Sequence, residues 1–268
     1  MTVAGIGLIG SGNIGAAFVK GWIRSAPAMS GRITVADARP EAAEKLAGET
    51  GTAVAGSNQE LVEKSDLVLL AVKPGDVEAA LKDTLPRFSR EKALVSVAAG
   101  RTIAFLEALF PQEVPVFRLM PNLAIEVGAG TIAFAAGHNV DKEFKDEVAG
   151  LISMLGRVVP LEEKFFAAAT AIGGSGPGFL ALIMESFIDA GVLAGLPAAA
   201  ARELSGSMLA GTAELIGGAG LGPAALRRRI TSPAGTTAAG LAVLERHGAR
   251  AAIIEAVQAA AGRAREMG

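Results

Sequence analysis

Three glycines near the start of the chain have the spacing that lets a backbone meet a pyrophosphate. Gly10, Gly12 and Gly15 form G-x-G-x-x-G, with Ser11, Asn13 and Ile14 between them. An apolar run over residues 3–9 precedes the motif, and helical spacing over residues 16–23 follows it. Strand, glycine turn and helix, in that order, are the context a dinucleotide fingerprint requires. Gly10 permits the tight turn, Gly12 offers no Cβ against a phosphate, and Gly15 lets the helix pack hard on the strand. The N–H groups and dipole at the helix start then attract the anion. The plainer alternative is a glycine turn of purely steric origin.

A second strand-like run, residues 33–37, ends in Asp37. It lies about 20 residues past the glycines, where a carboxylate can accept hydrogen bonds from the adenosine ribose hydroxyls. Asp37 alone favours NADH, because it repels a 2′-phosphate. Arg39 argues the other way, since a guanidinium pairs with that phosphate. A solvated turn explains both residues without any ligand. The sequence leaves the choice between NADH and NADPH open.

Two polar, glycine-rich stretches interrupt the otherwise apolar second half. One is Gly173-Gly174-Ser175-Gly176-Pro177-Gly178-Phe179, and the other is Ile230-Thr231-Ser232-Pro233-Ala234-Gly235-Thr236-Thr237. The second exposes the N–H groups of Gly235, Thr236 and Thr237 at a helix start, beside the hydroxyls of Ser232 and Thr237. That arrangement suits a small carboxylate. An ordinary capping turn fits the same residues.

The elements that must position these groups follow from pattern. Residues 67–72 form a continuous apolar run, as in a parallel strand covered on both faces, and end in Lys73-Pro74. Residues 93–97 give the next strand. It ends in Ala98-Ala99-Gly100, small enough for a flat ring to approach the backbone. Residues 114–119, 131–135 and 157–159 read as further strands, with helices over 40–49, 58–64 and 141–155. After residue 160 strand patterns stop. Helical segments over 165–172, 177–193, 198–216, 223–230 and 236–267 take over. The expected architecture is α/β: a Rossmann-type doubly wound sheet over residues 1–162, then an all-α oligomerisation domain over residues 163–268.

Composition narrows the classes. The chain has 268 residues, a formal net charge of -2, 51% hydrophobic residues, no Cys, and His138 and His247 as its only histidines. It has no basic footprint for nucleic acid or anionic membrane, and a His- or Cys-based metal site is not expected. No uncharged apolar run of about 18 residues is present, so no membrane-spanning helix is expected. The start of the chain lacks a basic leader, and a cytoplasmic location is expected. Helices so rich in Ala and Leu, with few charges, are expected to bury surface between subunits.

Seven motifs in order make the chain resemble the pyrroline-5-carboxylate reductase family from end to end. They are Leu-Ile-Gly-Ser-Gly-Asn ending at Asn13, Val72-Lys73-Pro74, and Ser96-x-Ala98-Ala99-Gly100. Arg118-x-Met120-Pro121-Asn122 and Thr170-x-x-x-Gly174-Ser175-Gly176-Pro177 follow. Asp189-Ala190-Gly191-Val192 with Gly195-Leu196-Pro197, and the loop 231–237, complete the set.

The resemblance implies hydride transfer from NADPH or NADH to the imine carbon of the cyclic imine 1-pyrroline-5-carboxylate, the carbon that becomes C5 of the L-proline product. It also implies a homo-oligomer, at least an interleaved dimer, with a decamer as the larger alternative, in which a neighbouring subunit completes each site. Ser232, Gly235 and Thr236 would take the substrate carboxylate, with Ser175 nearby and the Thr237 hydroxyl near the ring nitrogen as the catalytic group. Gly10, Ser11, Gly12, Asn13 and Ile14 would line the cofactor, with Asp37, Arg39 and Asn58. Val72, Lys73, Pro74, Ala98, Ala99, Gly100, Met120, Pro121 and Asn122 would complete that lining.

The chain departs from the family pattern at Ala167, Gly173, Gly178, Arg228 and Ala234, the last standing where Gly is common. These leave room for a reductase of a related cyclic imino acid. A β-hydroxyacid or F420-linked oxidoreductase shares the opening motif, but Lys164 is the only lysine beyond residue 162. A nucleotide sensor without turnover is the non-enzymatic alternative.

Overall fold

The structure is a computed structural model and describes residues 3–218 and 220–267. Its first half is built outward from β1 (Ile6–Ile9), which enters α1 (Asn13–Ser25) through the glycine turn. The chain continues through β2 (Ile33–Ala36), α2 (Pro40–Thr50), β3 (Ala53–Val54), α3 (Asn58–Glu63) and β4 (Leu67–Leu70). Then come α4 (Val77–Leu81), β5 (Ala93–Ser96), α5 (Ile103–Glu107) and β6 (Val116–Met120). β7 (Gly130–Ala136), α6 (Lys142–Ser153) and β8 (Gly156–Pro160) close the sheet.

The eight strands lie in the order β3-β2-β1-β4-β5-β6-β7-β8. Every neighbouring pair is parallel except β6 and β7. Apolar side chains alternate between the two faces. Leu67 and Leu69 join one core with Leu8, Phe18 and Trp22, whereas Val68 and Leu70 join a second with Ile9, Leu61 and Leu94. Burial on both faces is why β4 reads as an unbroken apolar run. The chain leaves β1 in one direction and returns to its other side at β4. The carboxyl ends of β1 and β4 therefore form the switch point where ligands bind in open α/β sheets.

The helical half follows: α7 (Phe166–Ala169), a π-turn (Thr170–Gly174), α8 (Gly176–Leu193), α9 (Ala198–Gly217), α10 (Pro223–Ile230), α11 (Thr236–Arg246) and α12 (Ala249–Glu266). By packing, the chain divides into Met1–Ser175 with Ala260–Gly268, and Gly176–Ala259. Strand pattern gives way to helix near residue 163, but residues 163–175 pack with the sheet. Phe166 is buried there, and Arg118 donates to Glu163 at 2.6 Å.

Within the second unit α8 packs on α9, with Gly191 letting Ala201 come close. Much of its apolar surface has no cover: Leu180, Leu182, Phe187 and Leu193 on α8 are exposed, as are Val243, Leu244, Ile253 and Ile254.

Two expectations need correction. The last segment is two helices rather than one; it breaks where the N–H groups of His247 and Gly248 bond back to Val243 and Glu245. The short β3, α4 and α5 were not anticipated. One helical stretch, Glu163–Leu193, is long and apolar enough to cross a membrane by length and composition alone. It carries Glu185 and Asp189 and the π-turn, and such a stretch is weak evidence for a span.

Candidate active site

The glycine turn is held by sterics on one side and left open on the other. Gly10 has φ +101°, and a Cβ there would sit 2.6 Å from the carbonyl oxygen of Ala71 at the end of β4. A Cβ on Gly15 would collide with the carbonyl oxygen of Gly10. Gly12 differs: nothing lies within 4 Å of its missing Cβ. It stands at the start of α1, with no side chain capping the helix and no acidic residue in the first turn. The free N–H groups of that turn, including those at Asn13 and Ile14, thus face open space.

Ser11 adds an orphan. Its Oγ is buried with no hydrogen-bond partner, alone in this among side chains of the described residues. A buried hydroxyl without a partner is costly unless a ligand completes it. The open cradle at Gly12 and the unpaired Ser11 Oγ together fit a pyrophosphate-bearing cofactor.

Asp37 closes the same turn from β2. Its Oδ2 accepts from Ser11 N at 2.7 Å and its Oδ1 from Arg39 N at 2.9 Å. The Arg39 guanidinium lies 3.8 Å from that carboxylate and is 71% exposed, free to swing toward a ligand. Ser11, Gly12, Asn13 and Arg39 line a groove of about 360 Å³ together with Lys20 and Lys45. Sequence reasoning passed over both lysines. Lys20 lies two helical turns past Asn13, so it shares that residue's face of α1. Its hydrogen bond to Glu49 holds the Lys20 ammonium above its ordinary value and the Glu49 carboxyl below its own.

Farther along the switch point, Val72 sits against Gly10, and Arg101 Nε donates to the Pro74 carbonyl at 2.8 Å. That bond ties Lys73-Pro74 to the loop after β5. Ala98, Ala99, Gly100 and Met120 line one cavity of about 280 Å³, joined by Arg118, Glu163 and Thr170. Pro121 follows Met120 at the end of β6. Glu163 Oε1 accepts from both Arg118 and Ile103 N, and Arg118 stacks 4.9 Å over Phe166. This Arg–Glu pair was also unforeseen; an Arg in a strand facing an acidic residue at a helix start was its only sequence signal.

Two asparagines expected beside the cofactor are occupied by backbone. Asn58 Nδ2 donates to the Ala80 carbonyl at 2.9 Å. Asn122 Nδ2 donates to the Gly173 carbonyl at 3.0 Å, while its Oδ1 accepts from Thr131 N at 3.2 Å. Ser175 ends the π-turn, its N–H bonded to Thr170 O at 2.9 Å.

In the second unit, α10 ends with the Thr231 hydroxyl on the Arg227 carbonyl, and the loop 232–235 leads into α11. Gly235 N donates to Ser232 O at 3.1 Å, so this N–H is engaged within the loop rather than open to a ligand. Gly235 caps α11, and no side chain caps the N–H groups of the first turn, which holds Thr236 and Thr237. Ala234 holds φ +55°, alone among non-glycine described residues. No cluster of three or more His, Cys, Asp or Glu able to hold a metal occurs among the described residues.

Comparisons with known proteins match two stretches of the chain. Residues 163–267 match the family profile for pyrroline-5-carboxylate reductase dimerisation, and residues 5–100 that for coenzyme F420-dependent NADP oxidoreductases. The chain is 38% identical to the pyrroline-5-carboxylate reductase of Mycobacterium tuberculosis over 99% of its own length and 97% of that protein's. It is 37% identical to the Synechocystis enzyme of the same name, over 98% of each. Among solved structures, the Coxiella burnetii reductase superposes with a TM-score of 0.89 at 29% identity, covering 98% of both chains. The Plasmodium falciparum pyrroline carboxylate reductase with NADP bound gives 0.87 at 28%, over 99% of this chain and 98% of that one.

Proposed function

The chain belongs to the pyrroline-5-carboxylate reductase family and is an NAD(P)H-dependent oxidoreductase; from that premise we propose how its own residues reduce 1-pyrroline-5-carboxylate to L-proline. The observation that carries the reading is the near-full-length identity to reductases of that name. When bound, the dihydronicotinamide supplies the hydride for the C=N carbon.

The chain's work is binding and orientation. The glycine turn, with Ser11 Oγ and the first-turn N–H groups of α1, holds the pyrophosphate. Asp37 and Arg39 face the adenosine ribose, and Val72-Lys73-Pro74, Ala98 to Gly100 and Met120-Pro121 line the nicotinamide end. Ser232 and the N–H groups of Thr236 and Thr237 take the substrate carboxylate, supported by the uncapped start of α11. Because Gly235 N is engaged by Ser232 O, this anchor rests on Thr236 and Thr237.

A fixed carboxylate sets both the face of the ring presented and the choice of enantiomer. The Thr237 hydroxyl holds the proton or the water at the ring nitrogen. A cyclic imine is basic enough to be protonated near neutral pH, so a stronger acid is not required.

The active unit in this reading is a homo-oligomer, an interleaved dimer or a larger ring, supported by the dimerisation profile and the uncovered apolar faces of α8, α11 and α12. The nucleotide belongs to residues 1–162 and the substrate and subunit contacts to residues 163–268, with a cytoplasmic location and no membrane or nucleic-acid partner. The experiment is product analysis: incubation with NADPH and racemic 1-pyrroline-5-carboxylate should yield L-proline alone on chiral chromatography. Racemic proline would defeat the carboxylate-anchor account.

A further inference from the structure

Gly173 has a carbonyl whose ordinary α-helical partner is missing. In an α-helix each carbonyl accepts from the N–H four residues on, and four residues past Gly173 stands Pro177, which has none. The chain responds locally with a π-turn over Thr170–Gly174, in which Ser175 N bonds back five residues to Thr170 O at 2.9 Å. The missing donor for Gly173 comes from 51 residues away: Asn122 Nδ2, at 3.0 Å.

The Asn122 amide cannot be turned over. Its Oδ1 receives Thr131 N at 3.2 Å, so the amide nitrogen must face the Gly173 carbonyl. Beside it, a Cβ on Gly174 would stand 2.9 Å from the Met120 methyl, so the strand end and the turn meet at two adjacent points. π-turns of this kind concentrate at functional sites.

We propose that Asn122 is a positioning residue, which replaces the hydrogen bond Pro177 cannot make and so fixes Ser175 against the end of β6. The consequence for turnover rests on the function proposed above. Asn122 then acts through the Gly173 carbonyl and Ser175, without touching cofactor.

The test uses the full-length protein and three variants: Asn122→Ala, Asn122→Asp and Asn122→Ala with Pro177→Ala. Amide hydrogen exchange over residues 170–178 is expected to quicken about tenfold in both single variants, the size of one lost hydrogen bond to a half-buried carbonyl, while β6 is unchanged. Pro177→Ala supplies an N–H within the helix and is expected to restore most of the protection. Unchanged exchange in Asn122→Ala and Asn122→Asp, or no rescue by Pro177→Ala, overturns the proposal.

In turnover, kcat is expected to fall about tenfold with the KM for NADPH within about threefold, and to recover in the double variant. A raised KM for NADPH at unchanged kcat would mean that Asn122 touches the cofactor, and also overturns it. Should the wild type fail to reduce the imine, the proposed function falls, and the exchange experiment still decides the link. If Asn122→Ala does not fold, Asn122→Asp keeps the acceptor for Thr131 and removes only the donor.

Discussion

The backbone N–H of Ser11 donates a 2.7 Å hydrogen bond to Oδ2 of Asp37, which joins the glycine turn after β1 to the end of β2. With its other oxygen on Arg39 N, the Asp37 carboxylate is tied to the turn, and the Arg39 guanidinium is the exposed charge at the groove. Arg39→Ala should therefore weaken NADPH binding by about 10- to 100-fold, the worth of a charge-assisted hydrogen bond. NADH affinity should change less than about threefold on the same basis. Titration of each nucleotide against the fluorescence of Trp22 gives both values; equal losses for the two would contradict this reading.

Two neighbouring glycines should respond in opposite ways. Gly12 faces open space, so Gly12→Ala should leave the melting temperature unchanged while reducing NAD(P)H affinity at least tenfold, by placing a methyl where a phosphate must approach. Gly15→Ala drives a Cβ into the Gly10 carbonyl and should cost about 1–3 kcal/mol of stability. Calorimetry with and without nucleotide separates the two. A destabilised Gly12→Ala would show that the cradle is not open.

Ala234 holds a left-handed backbone where the family more often has Gly. A Cβ in that region costs about 1–2 kcal/mol, partly offset by the entropy glycine loses on folding. Ala234→Gly should raise stability by about 0.5–1 kcal/mol in chemical denaturation. A loss of stability would show that the loop does not hold this conformation.

The start of α11 has no capping side chain, and the Thr237 hydroxyl sits in its first turn. Thr237→Ala should lower kcat/KM for the imine by about 10- to 1000-fold, while NADPH binding stays intact. Thr237→Ser should retain most of the activity. Equal activity in the Ala variant would remove the hydroxyl from the chemistry.

Much of this was legible in the sequence because local pattern and tertiary burial agree. The apolar runs at β1, β4 and β5 are continuous because both faces of the sheet are covered, and the glycine turn is dictated by backbone crowding at Ala71 and Gly10. What escaped was short or distant. β3 has two residues, both exposed at the sheet edge, and α4 and α5 have five each, too few to show a period. The break at His247 has one local signal, Gly248 with φ +71° at the helix end, set within a long run of Ala, Leu and Arg that favours helix. Arg118 to Glu163 and Asn122 to Gly173 span 45 and 51 residues, so no spacing rule relates them. In the loop, the sequence showed three candidate N–H groups, and only the fold showed that Gly235 gives its own to Ser232.

The most direct test is steady-state oxidation of NADPH and, separately, NADH with 1-pyrroline-5-carboxylate as acceptor. Rapid turnover with at least one cofactor, stoichiometric with proline formed, is the predicted result. Absence of turnover with both, from protein shown to bind the nucleotide, would contradict the assignment.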